Sequence, residues 1–328
     1  MAHPDGELFR RASEGPDLVP LAPMNEIDLA TAWKLSKILR QWKPAIVHAH
    51  DPHAVSMAAL ALSFGAPSLR PKTIASRRVD FHLQSNAFSQ WKYRQMDAFI
   101  AASEAIKSVL VHDGIPAGRI EVVHDGIDVD KIENRPTIDL HAEYWLPHGV
   151  PLIANVGALV AHKGQKYLIE AMPPVLREVP DAHLMIFGEG ELRVPLEKQI
   201  KHLSLNKRVL LPGFREDVLS LMKSADLFVM SSVTEGLGSA VLDAMAMGQA
   251  VVGTRAGGIP EAVISGETGL LVEPADSKAL AAAIVTLLKD AKKRKQYGDA
   301  GRERVAKHFG VDRLVEGTLE VYQRVVSR

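Results

Sequence analysis

The stretch Ser231–Ala246, SSVTEGLGSAVLDAMA, follows a short apolar strand at Leu227–Met230 and starts a helix near Gly238. A helix that opens on a glycine-containing turn points free backbone N–H groups and its positive dipole end outward, which suits a phosphate. Glu235 lies in the turn, and Asp243 follows eight residues later. Ionised carboxylates accept hydrogen bonds from hydroxyl groups. The stretch therefore predicts either a nucleotide or nucleotide-sugar site, or a plain strand-to-helix turn with solvated acids.

Apolar strands alternate with helices along most of the chain. In the C-terminal half, glycine-bearing turns follow predicted strands such as 152–156, 183–187, 208–211, 227–230 and 250–253. The N-terminal half has compact strands at 45–50, 73–76, 98–102 and 120–123. This alternation predicts right-handed crossovers and two doubly wound, Rossmann-like α/β domains with mainly parallel sheets. Ligands of such domains bind at the carboxyl ends of the strands, so we expect the turns to share one edge.

The predicted boundary between the domains lies at 131–150, where the apolar periodicity fades and proline and glycine interrupt the chain. We expect a shortened N-terminal domain at 1–130, a second domain at 151–310 and a terminal helix at 311–328. The first residues predict a short helix at 7–13 and a short strand at 18–21.

Composition excludes several classes of function. Lys and Arg total 39 and so do Asp and Glu, so no global field recruits nucleic acid. Cysteine is absent, which removes disulfides, thiolate metal sites and cysteine nucleophiles and fits a reducing compartment. No run of eighteen apolar residues predicts a membrane span, and the N-terminus lacks the pattern of a signal peptide. The chain is therefore expected to be cytoplasmic.

Further turns of the second domain carry residues that suit a phosphorylated, hydroxyl-rich ligand. Lys163 lies in the turn Gly157–Gly164 and can reach a phosphate as a point charge. Glu189 lies between two glycines, and Phe214 and Arg215 follow a Pro-Gly pair. One such turn is weak evidence, but several turns in one domain, each after a strand, strongly favour a ligand site.

These segments together resemble the family 4 retaining glycosyltransferases of the GT-B fold. The resemblance is carried by four segments: Val156–Gly164, Phe187–Gly190, Glu235–Asp243 and Gly257–Glu261. It implies an enzyme of hexosyl type that moves a sugar from a nucleoside-diphosphate sugar to a glycan, a lipid-linked acceptor or a small acceptor. The configuration at the anomeric carbon is retained, and neither a metal ion nor another cofactor is required.

The resemblance also implies the roles of individual residues. Lys163 matches the lysine that contacts the donor diphosphate, and Glu235 matches an acid that contacts the sugar hydroxyls; both are candidate catalytic residues. Asp243 matches the acid that contacts the ribose. The rest of the implied donor site consists of Gly157, Glu189, Phe214, Arg215, Gly236, Leu237, Gly238 and Ser239. In the implied mechanism, the leaving diphosphate deprotonates the acceptor on the same face of the sugar.

The N-terminal half departs from the family pattern. The chain begins after the position of the family's opening strand, glycine-rich loop and helix, so we expect a shortened sheet whose edge is covered by a second copy or an atypical segment. Arg77 and Arg78 stand where some relatives carry a functional histidine. Together with His50, near the end of a predicted strand, they are the candidate acceptor-side residues. Ala158 also replaces a phosphate-binding arginine of many relatives.

Two patterns resemble metal ligands, but neither predicts a metal site. His48 and His50 share one face of a strand without an evident third ligand, so core or edge histidines are the better interpretation. Asp128 and Asp130 match an Asp-x-Asp motif but lie in the segment that resembles the family's interdomain connection.

A local basic cluster suggests one further partner. Arg77, Arg78, Lys92 and Arg94 flank Trp91 and Tyr93. This composition suits a solvated face, or contact with a phosphorylated acceptor or with anionic lipid at the inner membrane surface.

Two alternative functions remain open at this level. A nucleotide-sugar-binding protein without turnover would keep the donor site while its shortened N-terminal domain could not catalyse. The second alternative is a sugar-nucleotide epimerase or a phosphorylase of the same fold. Epimerisation of the donor without an acceptor would favour it, although the paired acids fit such an enzyme less well.

Overall fold

The computed structural model describes residues 3–5, 9, 12, 17–65 and 70–327. They form two compact units. The first takes its residues from 1–102, 107–123 and 317–328, and the second from 103–106 and 124–316. Each unit contains a sheet in which all paired strands are parallel. The predicted fold class, α/β with two mainly parallel sheets, is confirmed.

The described residues of the first unit form four paired strands in the order β1-β2-β3-β4. The strands are β1 (Ile46–Ala49), β2 (Lys72–Arg77), β3 (Ala98–Ala101) and β4 (Ile120–Val122). The helices that alternate with them are α1 (Leu29–Trp42), α2 (Pro52–Ser63), α3 (Ala87–Arg94) and α4 (Glu104–His112), of which the first turn of α4 groups with the second unit.

Helix α1 begins at a side-chain cap and packs through one face. The carboxylate of Asp28 accepts a hydrogen bond from the N–H of Thr31 at 2.9 Å, which satisfies one of the free donors of the first turn. Ala32, Leu35 and Leu39 are buried in an apolar cluster with residues of α2. Their spacing of three and four residues is that of a helix with one apolar face. The opposite face of α1 remains exposed.

The second unit contains six strands in the order β10-β9-β8-β5-β6-β7. They are β5 (Leu152–Val156), β6 (His183–Phe187), β7 (Val209–Gly213), β8 (Leu227–Met230), β9 (Val251–Thr254) and β10 (Gly269–Val272). The chain winds outward from β5 in one direction and then, from β8, in the other. The reversal between β5 and β8 is the topological switch point, where ligands of doubly wound sheets bind.

Helices cover both faces of this six-stranded sheet. They are α5 (Val129–Glu133), α6 (Leu140–Glu143), α7 (Gln165–Glu178), α8 (Arg193–His202), α9 (Val218–Met222), α10 (Ser239–Ala246), α11 (Ile259–Ala262), α12 (Ser277–Lys289) and α13 (Ala291–His308). The last helix, α14 (Val311–Val326), groups with the second unit up to Glu316 and with the first from Gly317.

The central strand β5 is buried on both faces. Leu152 and Ala154 belong to one apolar cluster, and Ile153 between them belongs to the other, as the two-residue period of a strand requires. Buried Asn155 donates a hydrogen bond through Nδ2 to the carbonyl of Val229 at 2.8 Å. This bond joins β5 to β8 at the switch point, and the strand ends there are fixed relative to each other.

The range 131–150, predicted as a linker, is a structured part of the second unit. It holds the end of α5 and the whole of α6. The ammonium of Lys223 donates to the carbonyls of Glu133 and Arg135, both at 2.7 Å, and the N–H of Ile138 donates to the carbonyl of Ser220. Helices of four or five residues are too short to show helical periodicity in a sequence, which explains why this segment reads as a linker.

The remaining differences concern the first unit. The predicted strand at 18–21 is wrong, since only Pro20 makes an isolated bridge there; a proline lacks the N–H that a strand ladder needs. The predicted helix at 7–13 falls mostly on residues outside those described. Helix α3 was not predicted, although Asn86 caps it by accepting from the N–H of Ser89 at 2.7 Å.

The loops that follow β5 and β6 approach so closely that one glycine is required. A Cβ atom added to Gly188 would lie 2.0 Å from the carbonyl oxygen of Gly157, and Gly188 has φ of 143°. We expect Gly188→Ala to lower the free energy of unfolding by about 1–3 kcal/mol, because backbone rather than a mobile side chain must move. Chemical denaturation measures this loss.

Gly118→Ala is the matched control, because a Cβ atom there would meet no atom within 4 Å. Equal stability of the two variants would contradict the close approach of the two loops.

Candidate functional site

The turns after β5 and β8 meet at the switch point. Gly164 follows the 3₁₀ turn Ala161–Lys163 and has φ of 64°; a Cβ atom there would lie 2.1 Å from the carbonyl oxygen of Ser231. The hydroxyl of Ser231 in turn donates to the carbonyl of Lys163 at 3.1 Å. The sequence therefore brings the lysine turn and the Ser231–Ala246 stretch into direct contact.

An ion pair forms at this contact. Lys163 Nζ lies 2.6 Å from Glu235 Oε2, and the Ser232 hydroxyl donates to the same oxygen at 2.9 Å. Glu235 is only 9% exposed. A carboxylate shielded from water and held by a cation and a hydroxyl is fixed in direction, and its second oxygen accepts no hydrogen bond among the described residues. Sequence reasoning missed Ser232, whose role no pattern signals.

Helix α10 begins beside this pair without a side-chain cap. Gly238 precedes it with φ of 89°, and no side chain satisfies its first N–H groups. Because the first turn of any helix leaves backbone donors without partners inside the helix, the start of α10 can bind an anion. Buried Leu237 anchors the turn, and Gly236 accepts a hydrogen bond at its carbonyl from Ser103 at 2.8 Å.

The second predicted acid, Asp243, lies on α10. Burial raises the pKa of its carboxyl to about 6, and a weaker attraction to Arg135 acts in the opposite direction. The side-chain carboxylate of Asp243 accepts no hydrogen bond from the described residues. Its carboxylate is therefore a desolvated acceptor that a ligand hydroxyl can satisfy.

Glu189 and Gly213 stand side by side at the ends of β6 and β7. A Cβ atom on Gly213 would lie 2.7 Å from Glu189 Oε1, and the same oxygen is 2.7 Å from Arg193 Nη1. Arg193 also donates to the carbonyl of Leu211. Glu189 is thus an exposed but oriented acid. Gly157 lies nearby at the end of β5, with the stem of Lys163 in contact range.

The predicted donor-site residues Phe214 and Arg215 differ in their availability. Arg215 is held by both oxygens of Asp217, at 2.8 and 2.7 Å, and by Glu143 at 2.7 Å. These hydrogen bonds raise its pKa further above the ordinary range, so the guanidinium is already neutralised by two acids. Phe214 is 72% exposed, and its ring offers a free face for stacking.

The acceptor-side candidates all lie in the first unit. His50 stacks on His48 with ring centroids 4.0 Å apart, and His48 contacts the hydroxyls of Ser76 and Tyr322 at 2.8 and 2.7 Å. Burial lowers the pKa of both histidines, that of His48 to about 3. His48 is therefore neutral at physiological pH and acts as part of a hydrogen-bonded network.

A cavity of about 130 Å³ lies at the carboxyl ends of β1 and β2, and His50, Arg77 and Arg78 line it. Arg77 donates through Nη2 to the carbonyl of Phe81 at 2.6 Å. Its Nε is buried and has no hydrogen-bond partner among the described residues. The structure thus brings the three predicted residues together around one cavity, and one of them, Arg77, has a guanidinium donor without a partner.

The predicted basic cluster is contradicted at one member. Lys92 is 3% exposed, and its ammonium lies 3.0 Å from both Glu26 Oε2 and Ser56 Oγ. Its charge is paired with Glu26 and its side chain is buried, so it cannot touch a membrane. Residues two positions apart lie on different faces of a helix, so Lys92 is buried although Arg94 is exposed.

Groups that resemble metal sites have other partners. Asp128 caps α5 by accepting from the N–H of Lys131 at 2.9 Å. Within the described ranges, His82, His112 and Asp113 are placed closely enough to hold a cation. Asp113 already accepts from His82 and from the N–H of Leu83.

Glu261 has a structural role that the sequence did not specify. Its carboxylate accepts from the N–H groups of Glu104 and Ala105, at 3.0 and 3.1 Å, and contacts His124 Nε2 at 2.8 Å. These partners hold its pKa below the usual value against the opposing effect of burial. Glu261 therefore fixes three segments of the second unit around the α11 turn.

Two family models match the chain. The model described as glycosyl transferases group 1 matches residues 138–304, about half of the chain, and the model of Glycosyltransferase Family 4 matches residues 2–131.

Curated relatives span most of the chain. It is 28% identical over 306 residues to N-acetyl-alpha-D-glucosaminyl L-malate synthase of Bacillus anthracis, a match that covers 91% of this chain and 80% of the relative. It is 32% identical over 250 residues to alpha-maltose-1-phosphate synthase of Mycolicibacterium smegmatis, covering 70% of this chain and 63% of the relative.

Solved structures match in fold. Anabaena Alr3699/HepE in complex with UDP superposes with a TM-score of 0.81 at 21% identity, covering 98% of this chain and 88% of that one. A glycosyltransferase from Rickettsia africae gives a TM-score of 0.80 at 21% identity, covering 98% and 89%. The chain therefore belongs to the family 4 glycosyltransferases and has their GT-B fold.

Proposed function

We propose that the second unit binds a nucleoside-diphosphate sugar at the carboxyl ends of its strands and that the enzyme transfers the sugar with retention of configuration. The observation that carries this proposal is the Lys163–Glu235 pair beside the uncapped start of α10. A lysine and free backbone N–H groups suit a diphosphate, and an oriented carboxylate suits sugar hydroxyls.

The relatives support the same class of donor. Solved structures of Anabaena Alr3699/HepE contain UDP or UDP-glucose. The Bacillus anthracis relative is named a synthase of an N-acetylglucosaminyl malate, and the Mycolicibacterium smegmatis relative is named a synthase of maltose 1-phosphate. These proteins differ in the product named, so they favour a nucleotide-sugar donor without specifying this chain's sugar or base.

The donor diphosphate lies, in this proposal, between Lys163 and the backbone of Gly236–Ser239. The ammonium and the helix start then stabilise the charge that grows on the leaving diphosphate. Glu235, fixed by Ser232, accepts from hydroxyls of the transferred sugar. Since lysine and backbone donors supply the positive charge, the transfer needs neither a metal ion nor another cofactor.

The remaining donor residues hold the nucleoside. Asp243 accepts from the ribose, and the exposed ring of Phe214 stacks on the base. Arg215 shapes this part of the site through its pairs with Glu143 and Asp217, and Glu189 together with Gly157 borders the sugar end. These roles are those that the family resemblance implies for these positions.

Transfer proceeds on one face of the sugar. A hydroxyl oxygen of the acceptor forms a bond to the anomeric carbon while the bond from that carbon to the diphosphate oxygen breaks. The leaving diphosphate takes the proton of the acceptor hydroxyl, so no residue of the protein forms a covalent intermediate. The contribution of the protein is positioning and electrostatic stabilisation.

The acceptor side is proposed to be the cavity of the first unit lined by His50, Arg77 and Arg78. The buried Nε of Arg77 lacks a partner, and a second guanidinium lines the same cavity. Because arginines pair with planar or tetrahedral oxyanions, an acceptor with a carboxylate or phosphate group fits best.

Location and assembly complete the proposal. The described part of the chain has no helix long and apolar enough to cross a membrane. We place the enzyme in the cytoplasm, because a chain without cysteine suits a reducing compartment. Among the described strands, β1 is at one edge of the sheet of the first unit, and a second copy of the chain is the proposed cover for that edge.

Donor binding distinguishes the roles of the two paired residues. Calorimetry with a panel of nucleoside-diphosphate sugars first identifies the donor, and the free nucleoside diphosphate is then compared with it. Glu235→Gln is expected to weaken the sugar nucleotide at least tenfold more than the nucleoside diphosphate, because only the sugar contacts this carboxylate. Lys163→Ala is expected to weaken both ligands, by about 1.5–3 kcal/mol.

The matched control is Glu303→Gln, which changes an exposed acid of α13 in the same unit. Donor binding that survives unchanged in both Glu235→Gln and Lys163→Ala would place the site elsewhere.

The raised pKa of the Asp243 carboxyl predicts that the stability of the protein depends on pH. This folded pKa of about 6 lies above the ordinary value of 3.8, so the folded state must bury an ionised carboxylate at neutral pH. Below about pH 3 the group is protonated in both states and costs nothing. The cost grows as the pH rises from the unfolded pKa of 3.8 to the folded pKa of about 6, and it is constant above that. We expect Asp243→Asn to be more stable than the wild type by about 3 kcal/mol at pH 7 and equal to it near pH 3.

Thermal unfolding across this pH range measures the difference. Glu303→Gln again serves as the control and is expected to show no such trend. A constant difference between Asp243→Asn and the wild type from pH 3 to pH 7 would show that burial does not perturb this carboxyl.

A further inference from the structure

The exposed face of α1 carries large apolar side chains. On that face, Leu29 and Trp33 lie about one helical turn apart and are 53% and 47% exposed. Trp42, the last residue of the helix, is 48% exposed but lies on the opposite side of the helix from Trp33. Met24 and Ile27, in the segment that leads into α1, are exposed as well. Five large apolar residues thus reach solvent within one short region of the first unit. Single exposed apolar residues are ordinary, but a group of them marks a contact surface.

The same face is strongly basic. Lys34, Lys37, Arg40 and Lys43 are all exposed, and α1 contains no acidic residue. The chain as a whole has no net charge, so this local excess is a property of the face. Lys37 Nζ lies 3.5 Å from the ring centroid of Trp33, which shows that cations and aromatic rings are interleaved rather than separated.

The nearby acids do not neutralise this face. Glu26 is paired with the buried ammonium of Lys92 at 3.0 Å. Asp28 is itself buried as the cap of α1 and accepts from the N–H groups of Thr31 and Met24. Both carboxylates are therefore committed to local structure, and the basic side chains of α1 face solvent without them.

The packing of α1 in the first unit involves its inner face and not its outer face. The inner side of α1 is buried against α2 through Ala32, Leu35 and Leu39. The outer side chains are not members of that buried cluster, so their apolar character needs another explanation. A rigid helix that presents tryptophan, leucine and lysine together is already ordered for binding and loses little conformational freedom on contact.

We propose that the outer face of α1, together with Met24 and Ile27, binds the surface of a bilayer that contains anionic lipid. Tryptophan rings favour the headgroup region, and a helix with one basic-aromatic face lies in the plane of that interface. Each lysine or arginine strengthens partition to an anionic surface by about fivefold. A nucleic acid would use the basic side chains but would leave Met24, Ile27 and Leu29 exposed, so a bilayer fits the whole face better.

This surface replaces the cluster that the sequence suggested. Lys92 is buried, whereas the side chains of α1 satisfy both requirements of an interfacial helix. The inference rests on the first unit alone and does not depend on the donor site. It gives the enzyme a place where lipid-linked acceptors of a glycosyltransferase are found.

Vesicle sedimentation tests the proposal. The wild-type chain is mixed with vesicles of phosphatidylglycerol and phosphatidylcholine in equal parts and, separately, with vesicles of phosphatidylcholine alone. We expect binding to the anionic vesicles that weakens as salt rises and little binding to the neutral ones. The double variant Lys34→Glu/Lys37→Glu is expected to lose at least tenfold in partition. Lys292→Glu/Lys295→Glu, on the exposed side of α13, reverses two lysines at the same spacing and is expected to bind as the wild type does.

Tryptophan fluorescence tests whether the apolar side chains of the face also contact the bilayer. The chain has four tryptophans, so Trp42→Phe/Trp91→Phe/Trp145→Phe leaves only Trp33, which lies on the outer face of α1. Its emission is expected to shift to shorter wavelength on anionic vesicles and to stay unchanged without them. Thermal unfolding verifies that each variant is folded.

Three results would overturn the proposal. The first is wild-type protein that does not bind anionic vesicles. The second is equal loss of binding in the α1 and α13 double variants, which would indicate general charge attraction. The third is salt-sensitive binding to duplex DNA with no shift of the Trp33 emission on vesicles, which would assign the face to a different polyanion.

Discussion

The close approach of two loops at the switch point is the constraint on which the site depends. Gly164 can lie against the carbonyl of Ser231 only because it lacks a side chain and adopts positive φ. That approach brings Lys163 within 2.6 Å of Glu235. The strand order puts β5 beside β8, so residues about seventy positions apart in the chain share one hydrogen-bonded group. The candidate donor site is therefore a consequence of topology as much as of residue type.

Much of the fold could be predicted from the sequence because strand burial is periodic and glycine turns are local. Every strand proposed for the second unit exists within a residue or two of its expected bounds. The roles proposed for Lys163 and Glu235 followed from a family resemblance. The structure adds that the two side chains are in direct contact. Their contact could not be predicted from spacing alone, since it depends on how two distant turns pack.

The features that the sequence did not reveal are those decided by tertiary contacts. Lys92 looks like a surface lysine, but Glu26 and Ser56 surround its ammonium in the folded unit. The segment at 131–150 looks like a linker, but Lys223 and Ser220 bind its backbone. The basic, aromatic face of α1 is likewise visible only when the inner residues of the helix are known to be buried.

A crystal structure with the bound donor tests the central claim most directly. The account predicts that the diphosphate lies within hydrogen-bonding distance of Lys163 Nζ and of the backbone N–H of Ser239, with sugar hydroxyls on Glu235 and the ribose on Asp243. A nucleotide sugar bound elsewhere on the second unit, with the Lys163–Glu235 pair undisturbed and the start of α10 in contact with solvent alone, would contradict it.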